Sequence, residues 1–246
     1  TSSYVYNDCC DIDVDSIAMP DRPLPSAQLS RREAQLWSLF LFLVAAAVAL
    51  YLNPESFAVL VAATIIISIY SSWAKRNTPF SWIFVGLSFG LVPLGVWLAF
   101  EPAGILKAGP GLHPAGLMLA AMIAITDWGF TNCDASRDVA GDREKGIPTT
   151  PATYGIPATA RMVASFWIIG VGLSLALGLA ANLGWLYLAA AALAGGWLLW
   201  QNLHFVRHPT AERGERLFYQ SANYRAVLFA ALITDVLLRA GLGLGA

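Results

Sequence analysis

Charge is scarce in this chain. Only 13% of its 246 residues are Asp, Glu, Lys or Arg, and 15 basic residues nearly cancel 16 acidic ones, for a formal net charge of −1. Without a basic excess, no nucleic-acid partner is suggested. Cysteine is scarcer still. Cys9, Cys10 and Cys133 are the three, two of them adjacent, and they show no zinc or dithiol spacing. They read as reduced thiols on a cytoplasmic side. The N-terminus is polar and acidic, so no signal peptide is expected there. Hydrophobic residues dominate, at 57% of the total with a mean hydropathy of +0.59. That balance excludes a soluble domain. It implies a polytopic, all-α membrane protein whose length allows one helical bundle.

Seven apolar segments are expected near 36–53, 57–74, 80–100, 113–133, 157–180, 183–201 and 222–240. The polar connection 16–35 carries Pro20, Pro23 and Pro25, which block regular helix, and Arg22, Arg31 and Arg32. Basic residues orient a membrane protein with their excess inside. Counting the first connection as cytoplasmic gathers Arg22, Lys75, Arg76, Arg137, Arg143, Lys145, Arg207 and Arg225 on that side, with further arginines, and leaves only Lys107 and Arg239 opposite. Gly86, Gly90, Gly170, Gly172 and Gly178 are read as helix-contact positions, and Pro93 as a kink.

Two acidic ladders interrupt this pattern. Asp134, Asp138 and Asp142 recur at four-residue steps, directly after the apolar run 116–126. On a continuous helix they would fall within an arc of about 80° and climb about 6 Å per step. Like charges on one face repel and call for a cation, and oxygen-only ligands suit Mg²⁺, which takes one or two carboxylates plus substrate phosphates. Asn7, Asp11 and Asp15 repeat the same step near the start of the chain. The assigned orientation brings both ladders, with Lys75 and Arg76, to one face. Facing one another, the ladders would hold two divalent ions around one diphosphate.

These residues resemble the UbiA superfamily of intramembrane prenyltransferases. Asn7-xxx-Asp11-xxx-Asp15 is similar to its first aspartate motif, Asp21-Arg22-Pro23-Leu24-Pro25-Ser26 to the basic, proline-rich segment after it, Asp134-xxx-Asp138-xxx-Asp142 to the second motif, and Gly146-Ile147-Pro148-Thr149 to its continuation. The resemblance covers nearly the whole chain. It implies nine transmembrane helices with the metal site capped by two cytoplasmic connections, so the first helix and most of the second are expected to be absent from this single-domain chain. It also implies a tyrosine four residues before a lysine near the diphosphate. Here Tyr70 precedes Lys75 by five and Ser71 takes the expected place. On a regular helix that turns Tyr70 about 100° away.

The resemblance implies an Mg²⁺-dependent transfer from an isoprenyl diphosphate, an allylic donor, to an aromatic or other lipophilic acceptor, inside the membrane and among its lipids. Asp11, Asp15, Asp134 and Asp138 are the expected catalytic ligands, with Asn7 and Asp142 completing the metal shell and Arg22, Lys75 and Tyr70 on the substrate. Arg137 and Arg143 point about 60° or more off the aspartate face and rank behind. Asp127, seven residues before Asp134, shares its face and is read as lining the acceptor pocket or as a hydrogen-bonded boundary residue. Trp37, Trp73, Trp82, Trp97 and Trp128 are candidate walls of the isoprenoid slot. His204 and His208 lack a third ligand and read as solvated. Two other readings stand beside transfer: a UbiA-type terpene cyclase needing no acceptor, and, more distantly, a membrane metal-binding or transport protein. The acceptor and the donor chain length are not legible.

Overall fold

The protein is described by a computed structural model over residues 1–102, 104–106, 109 and 111–242. Lys107 lies outside the described residues. Two short helices, α1 (Ser2–Cys10) and α2 (Ile12–Ala18), open the chain. Then follow α3 (Arg31–Leu52) and α4 (Pro54–Ile69), which runs through a π-helical turn, Tyr70–Ala74, into the helical turn α5 (Lys75–Asn77). The remainder is α6 (Trp82–Phe100), α7 (Pro114–Arg137), the short α8 (Val139–Glu144) and α9 (Thr150–Tyr154), α10 (Ile156–Ala180), α11 (Trp185–Arg207) and α12 (Ala211–Gly241). No strand occurs among the described residues.

Local chemistry sets these boundaries. Ser30 and Glu33 form a reciprocal capping box at the start of α3, so that helix begins at Arg31, five residues before the expected apolar segment 36–53. The Asn53 side chain accepts from the Ser56 N–H while Pro54 occupies the first turn of α4. Asp235, buried within α12, accepts from the backbone N–H groups of Gly184 (2.6 Å) and Tyr187 (3.4 Å) and thereby caps α11. Arg239 donates to the Asn182 carbonyl beside it.

Among the described residues six helical stretches are long and apolar enough to cross a membrane: Arg31–Leu52, Pro54–Asn77, Trp82–Phe100, Pro114–Arg137, Ile156–Ala180 and Ala211–Gly241. The expected segment 183–201 is the exception. It forms α11, 23 residues long, but Trp185, Gly195, Gly196, Gln201 and Asn202 dilute its apolar character. The last expected segment also changes. α12 begins at Ala211 rather than 222, because the Thr210 hydroxyl caps it there by accepting from the Arg213 N–H. The charged turns from Glu212 to Arg216 therefore precede the expected apolar segment within the same helix, and Arg225 follows them.

Successive long helices joined by short connections run in alternating directions. The C-terminal ends of α4, α7 and α11 and the N-terminal ends of α3, α6, α10 and α12 share one face. α7 is the central element and packs on α6, α10 and α12. Its neighbours approach closely where side chains shrink. A Cβ on Gly86 would lie 2.2 Å from the Trp128 ring, and one on Gly170 would lie 2.5 Å from Thr126 Cγ2. Gly172, by contrast, meets nothing within 4 Å. The buried core gathers Trp167, Tyr187, Leu198, Phe205 and Leu217 from α10, α11 and α12. α3 is the reverse case, with Leu36, Phe40, Leu43, Val44 and Val48 all exposed, as suits a surface solvated by lipid.

Candidate active site

Both acidic ladders break at their middle aspartate. Asp11 ends α1 and begins α2 at φ −106°, ψ 9°, and Asp138 ends α7 and begins α8 at φ −92°, ψ 6°. The continuous 80° arc is thus corrected. The four-residue hydrogen bonds nevertheless bridge each break: Asp11 N–H to Asn7 O (3.0 Å), Asp15 to Asp11 (2.8 Å), Asp138 to Asp134 (3.3 Å) and Asp142 to Asp138 (3.0 Å). Each ladder stays a ladder while its helix kinks.

On the first ladder Asp11 is 3% exposed. Its Oδ2 accepts from Lys75 Nζ (2.6 Å) and Asn7 Nδ2 (2.7 Å). Its buried Oδ1 has no hydrogen-bond partner, with Arg76 Nη2 at 3.7 Å. Asn7 Oδ1 in turn accepts from Ser71 Oγ (3.1 Å). Asp15 accepts from Arg22 Nη1 at 2.8 Å, and the same guanidinium reaches Asp8 at 3.3 Å. Arg76 grips Asp13 through two bonds of 2.7 and 2.6 Å, which holds that carboxyl down at about 2.

Tyr70 is where the structure departs most usefully from expectation. Within the π turn the Lys75 N–H bonds to the Tyr70 carbonyl, five residues back. A π turn absorbs the surplus residue, so Tyr70 and Lys75 share one face and the 100° displacement does not occur. Ser71 is buried and serves the same site from the neighbouring position. The charges of Lys75 and Asp11, and of Asp134 and Asp142 on the second ladder, all act on Tyr70.

On the second ladder Arg137 joins Asp134 (2.9 Å) to Asp138 (2.8 and 2.7 Å). Its direction from the helix axis argued for a lower rank, but its long side chain folds back across the ladder. Arg143 does turn away, donating to the carbonyls of Ala152 and Pro151. Asp142 accepts from Thr149 Oγ1 (2.8 Å), within the Gly146–Thr149 continuation. Burial pushes the Asp142 carboxyl up, against that hydrogen bond and the opposing charges of Lys75 and Lys145. Lys75 therefore bonds one ladder and acts electrostatically on the other.

Asp127 is 3% exposed and accepts from Arg225 Nη1 (3.2 Å) and Thr131 Oγ1 (3.3 Å). Its partner Arg225, and not Asp127 itself, lines a space of about 640 Å³ between α6, α7 and α12. Of the five candidate tryptophans only Trp97 lines it. Trp37 and Trp73 are about half exposed, while Trp128 packs edge-on against Trp82 and Phe166, and Trp82 tilts against Phe166. His204 stacks edge-on against Trp200, and the backbone of His208 closes α11.

Among the described residues no group of three carboxylate, His or Cys side chains is arranged to hold a metal alone. That suits an ion bound by one or two carboxylates and completed by phosphate oxygens. Asp11 Oδ1, buried and unbonded, is an oxygen of the right kind left open for such a partner.

The UbiA prenyltransferase family model matches residues 1–232. The chain belongs to this family. It is a prenyltransferase by that membership. It is 28% identical over 237 residues to the protoheme IX farnesyltransferase of Korarchaeum cryptofilum, covering 95% of this chain and 78% of that protein. It is also 28% identical over 242 residues to the digeranylgeranylglyceryl phosphate synthase of Methanothermobacter thermautotrophicus, covering 92% and 78%. An apo UbiA homologue from Aeropyrum pernix K1 has the same fold, with a TM-score of 0.76 at 22% identity over 96% of this chain and 84% of that one. A homologue from Archaeoglobus fulgidus, bound to GPP and Mg²⁺, aligns with a TM-score of 0.56 at 18% identity over 94% and 82%.

The partners of four residues around this UbiA-type site were not legible in the sequence. Ser71, Arg76, Thr149 and Arg225 act through contacts 7 to 98 positions apart. The sequence places Ser71 and Arg76 beside the site, and Thr149 in the motif continuation, without those contacts.

Proposed function

We propose that this chain moves an isoprenoid chain from an allylic diphosphate to a lipophilic acceptor, at the membrane face where the two ladders end. One observation carries the reading. Asp11 is buried with an unbonded carboxylate oxygen, beside a lysine whose charge bears on both ladders. Outside a site for a cationic, phosphate-bearing partner, that arrangement only costs stability.

The donor's carbon–oxygen bond breaks as the diphosphate leaves with the electron pair. Mg²⁺, where bound, supplies charge neutralisation for that leaving group, and the A. fulgidus homologue holds GPP and Mg²⁺ together. Asp11, Asp15, Asp134 and Asp138 would hold it, with Asn7 and Asp142 completing or orienting the shell. Lys75 and Arg22 supply fixed positive charge to the diphosphate oxygens, and Tyr70 donates from the same face as Lys75. Arg137 bridges the second ladder until the substrate complex competes for Asp134 and Asp138. The largely apolar cavity below keeps water from the allylic cation until the acceptor bonds to it, and an aspartate of the ladders takes the proton the acceptor gives up. We assign this face to the cytoplasm from the basic residues around it. Arg22, Arg76, Arg137, Arg143 and Lys145 lie around it.

The deep carboxylates argue against metal transport. Asp127 is paired with Arg225 and Asp235 caps α11, so neither is left to relay an ion. The test is diphosphate release from geranyl, farnesyl and geranylgeranyl diphosphates against an acceptor panel, with and without Mg²⁺. Turnover without Mg²⁺ overturns the reading, and a cyclic hydrocarbon formed without acceptor identifies a cyclase instead.

A further inference from the structure

A second groove, of about 620 Å³, opens between the end of α11 and the start of α12. Two stripes line it. Trp197, Trp200, Gln201 and His204 stand at i, i+3, i+4 and i+7 on α11, and Arg213, Arg216, Leu217 and Gln220 repeat that spacing on α12. The rings of Trp197 and Trp200 stack at 5.0 Å, and His204 meets Trp200 edge-on at 4.5 Å. Both indoles are about half exposed, so this stripe belongs to the outer surface and not to the core.

The groove is positively charged. Among the described residues no carboxylate lines it, and Arg213 and Arg216 do. Arg216 donates to Glu212 at 2.6 Å, one turn back, but both side chains are exposed and water screens the pair. The guanidinium of Arg213 has no hydrogen bond or ion pair among the described residues. The charge of Glu215 acts instead on Arg137. Polarity is also graded along the groove. His204 and Arg213 lie within about 5 Å of the helix ends, whereas Trp200 and Trp197 lie about 10 and 15 Å below Arg207, the last residue of α11. An amphiphile with a negative head matches that order. A neutral chain alone would leave the guanidinium groups unsatisfied, and a small soluble anion would leave the indoles uncovered.

We propose that the α11–α12 groove binds an anionic phospholipid, with its phosphate on Arg213 and Arg216 and an acyl chain laid along Trp200 and Trp197. Arg216 exchanges Glu212 for the phosphate. The groove opens at the face we assign to the cytoplasm, where anionic lipids concentrate and each arginine near the surface strengthens their binding about fivefold. Tryptophan at that depth suits the boundary between headgroup and chain. The site shares no residue with the acidic ladders, and the proposal stands independently of the prenyl-transfer reading.

The test uses the full chain, one copy per disc, in phosphatidylcholine nanodiscs that carry a minor fraction of brominated lipid, either phosphatidylglycerol or phosphatidylcholine. Bromine quenches tryptophan on contact, and the double variant Trp197→Phe with Trp200→Phe identifies the groove's share of the signal. Brominated phosphatidylglycerol is expected to be enriched at that share roughly tenfold or more over brominated phosphatidylcholine. Arg213→Gln with Arg216→Gln is expected to equalise the two lipids, and to melt near the wild-type temperature in pure phosphatidylcholine because neither side chain is in the buried core. Arg213→Lys with Arg216→Lys is expected to keep most of the enrichment. Equal quenching by the two lipids in the wild type, enrichment that survives the double glutamine variant, or enrichment independent of Trp197 and Trp200 would each overturn the proposal. Inorganic phosphate, added against chloride at matched ionic strength, is expected to leave the lipid in place; displacement would identify a soluble-anion site and overturn the lipid assignment.

Discussion

Asp11→Asn separates the chemistry from the fold more sharply than any other single change. The two side chains have the same shape, and asparagine can still accept from Lys75 and Asn7. The substitution removes one charge from a carboxylate bonded to Lys75 at 2.6 Å and open at Oδ1. Two stability effects oppose each other. The attraction to Lys75 is lost, and so is the cost of burying a carboxylate with one oxygen unsatisfied; for buried pairs these offset to within ~2 kcal/mol. At roughly 2–4 °C per kcal/mol for a chain of this size, the melting temperature moves by less than about 8 °C. Activity behaves differently. A preorganised group that meets charge developed in the transition state contributes ~3–4 kcal/mol, so turnover of an allylic diphosphate falls about 10²–10³-fold. A third measurement links the two. Mg²⁺ with pyrophosphate at about 100 times its Kd stabilises the wild type by ~2.7 kcal/mol, and the variant loses most of that increment. Melting in nanodiscs and diphosphate release provide the readouts. Wild-type turnover in the variant, or an undiminished Mg²⁺–pyrophosphate increment, would refute the assignment of Asp11.

Lys75→Gln leaves the Asp11 carboxylate with Asn7 and the more distant Arg76. Removing one partner of a buried pair costs ~3–5 kcal/mol, and Lys75 is a quarter exposed, so about half that loss is expected by thermal melting, with a raised KM for the donor. Gly86→Ala places a Cβ 2.2 Å from the Trp128 ring and 2.6 Å from the Ala124 carbonyl; overpacking of this kind costs ~1–3 kcal/mol and should lower the melting temperature without changing Mg²⁺ dependence. Asp142 gives a pH signature. Burial raises its folded pKa above the ordinary value, so its contribution to stability is fullest below that value and is lost as pH rises through the raised one. The melting temperature of wild type minus Asp142→Asn should therefore fall with rising pH across that window, while Mg²⁺-dependent donor binding strengthens as the carboxylate ionises.

The parts of the site that were legible share a property: each rests on spacing within one segment. The four-residue steps of Asn7, Asp11, Asp15 and of Asp134, Asp138, Asp142 survive as backbone hydrogen bonds even where the helices break. Tyr70 was misjudged because a period of 3.6 was assumed across five residues that adopt a wider turn. Arg137 was misjudged because the direction of a Cα–Cβ bond says little about where a long side chain ends. The start of α12 was put eleven residues late because the polar cap at Thr210 sets it, ahead of the apolar run that marked the segment.

By itself the sequence determined that this protein is a helical membrane bundle, that two acidic ladders share one face of it, and which family it resembles. Hydropathy and short-range spacing are properties of consecutive residues, so the chain order carries them in full. Only the tertiary structure decided that Lys75 bonds Asp11 while its charge bears on the second ladder, that Asp11 keeps an oxygen open, and that Arg225 meets Asp127 beside a cavity. Those contacts join helices 64 and 98 positions apart. Their geometry follows from how closely glycines and tryptophans let neighbouring helices approach, which no local pattern encodes.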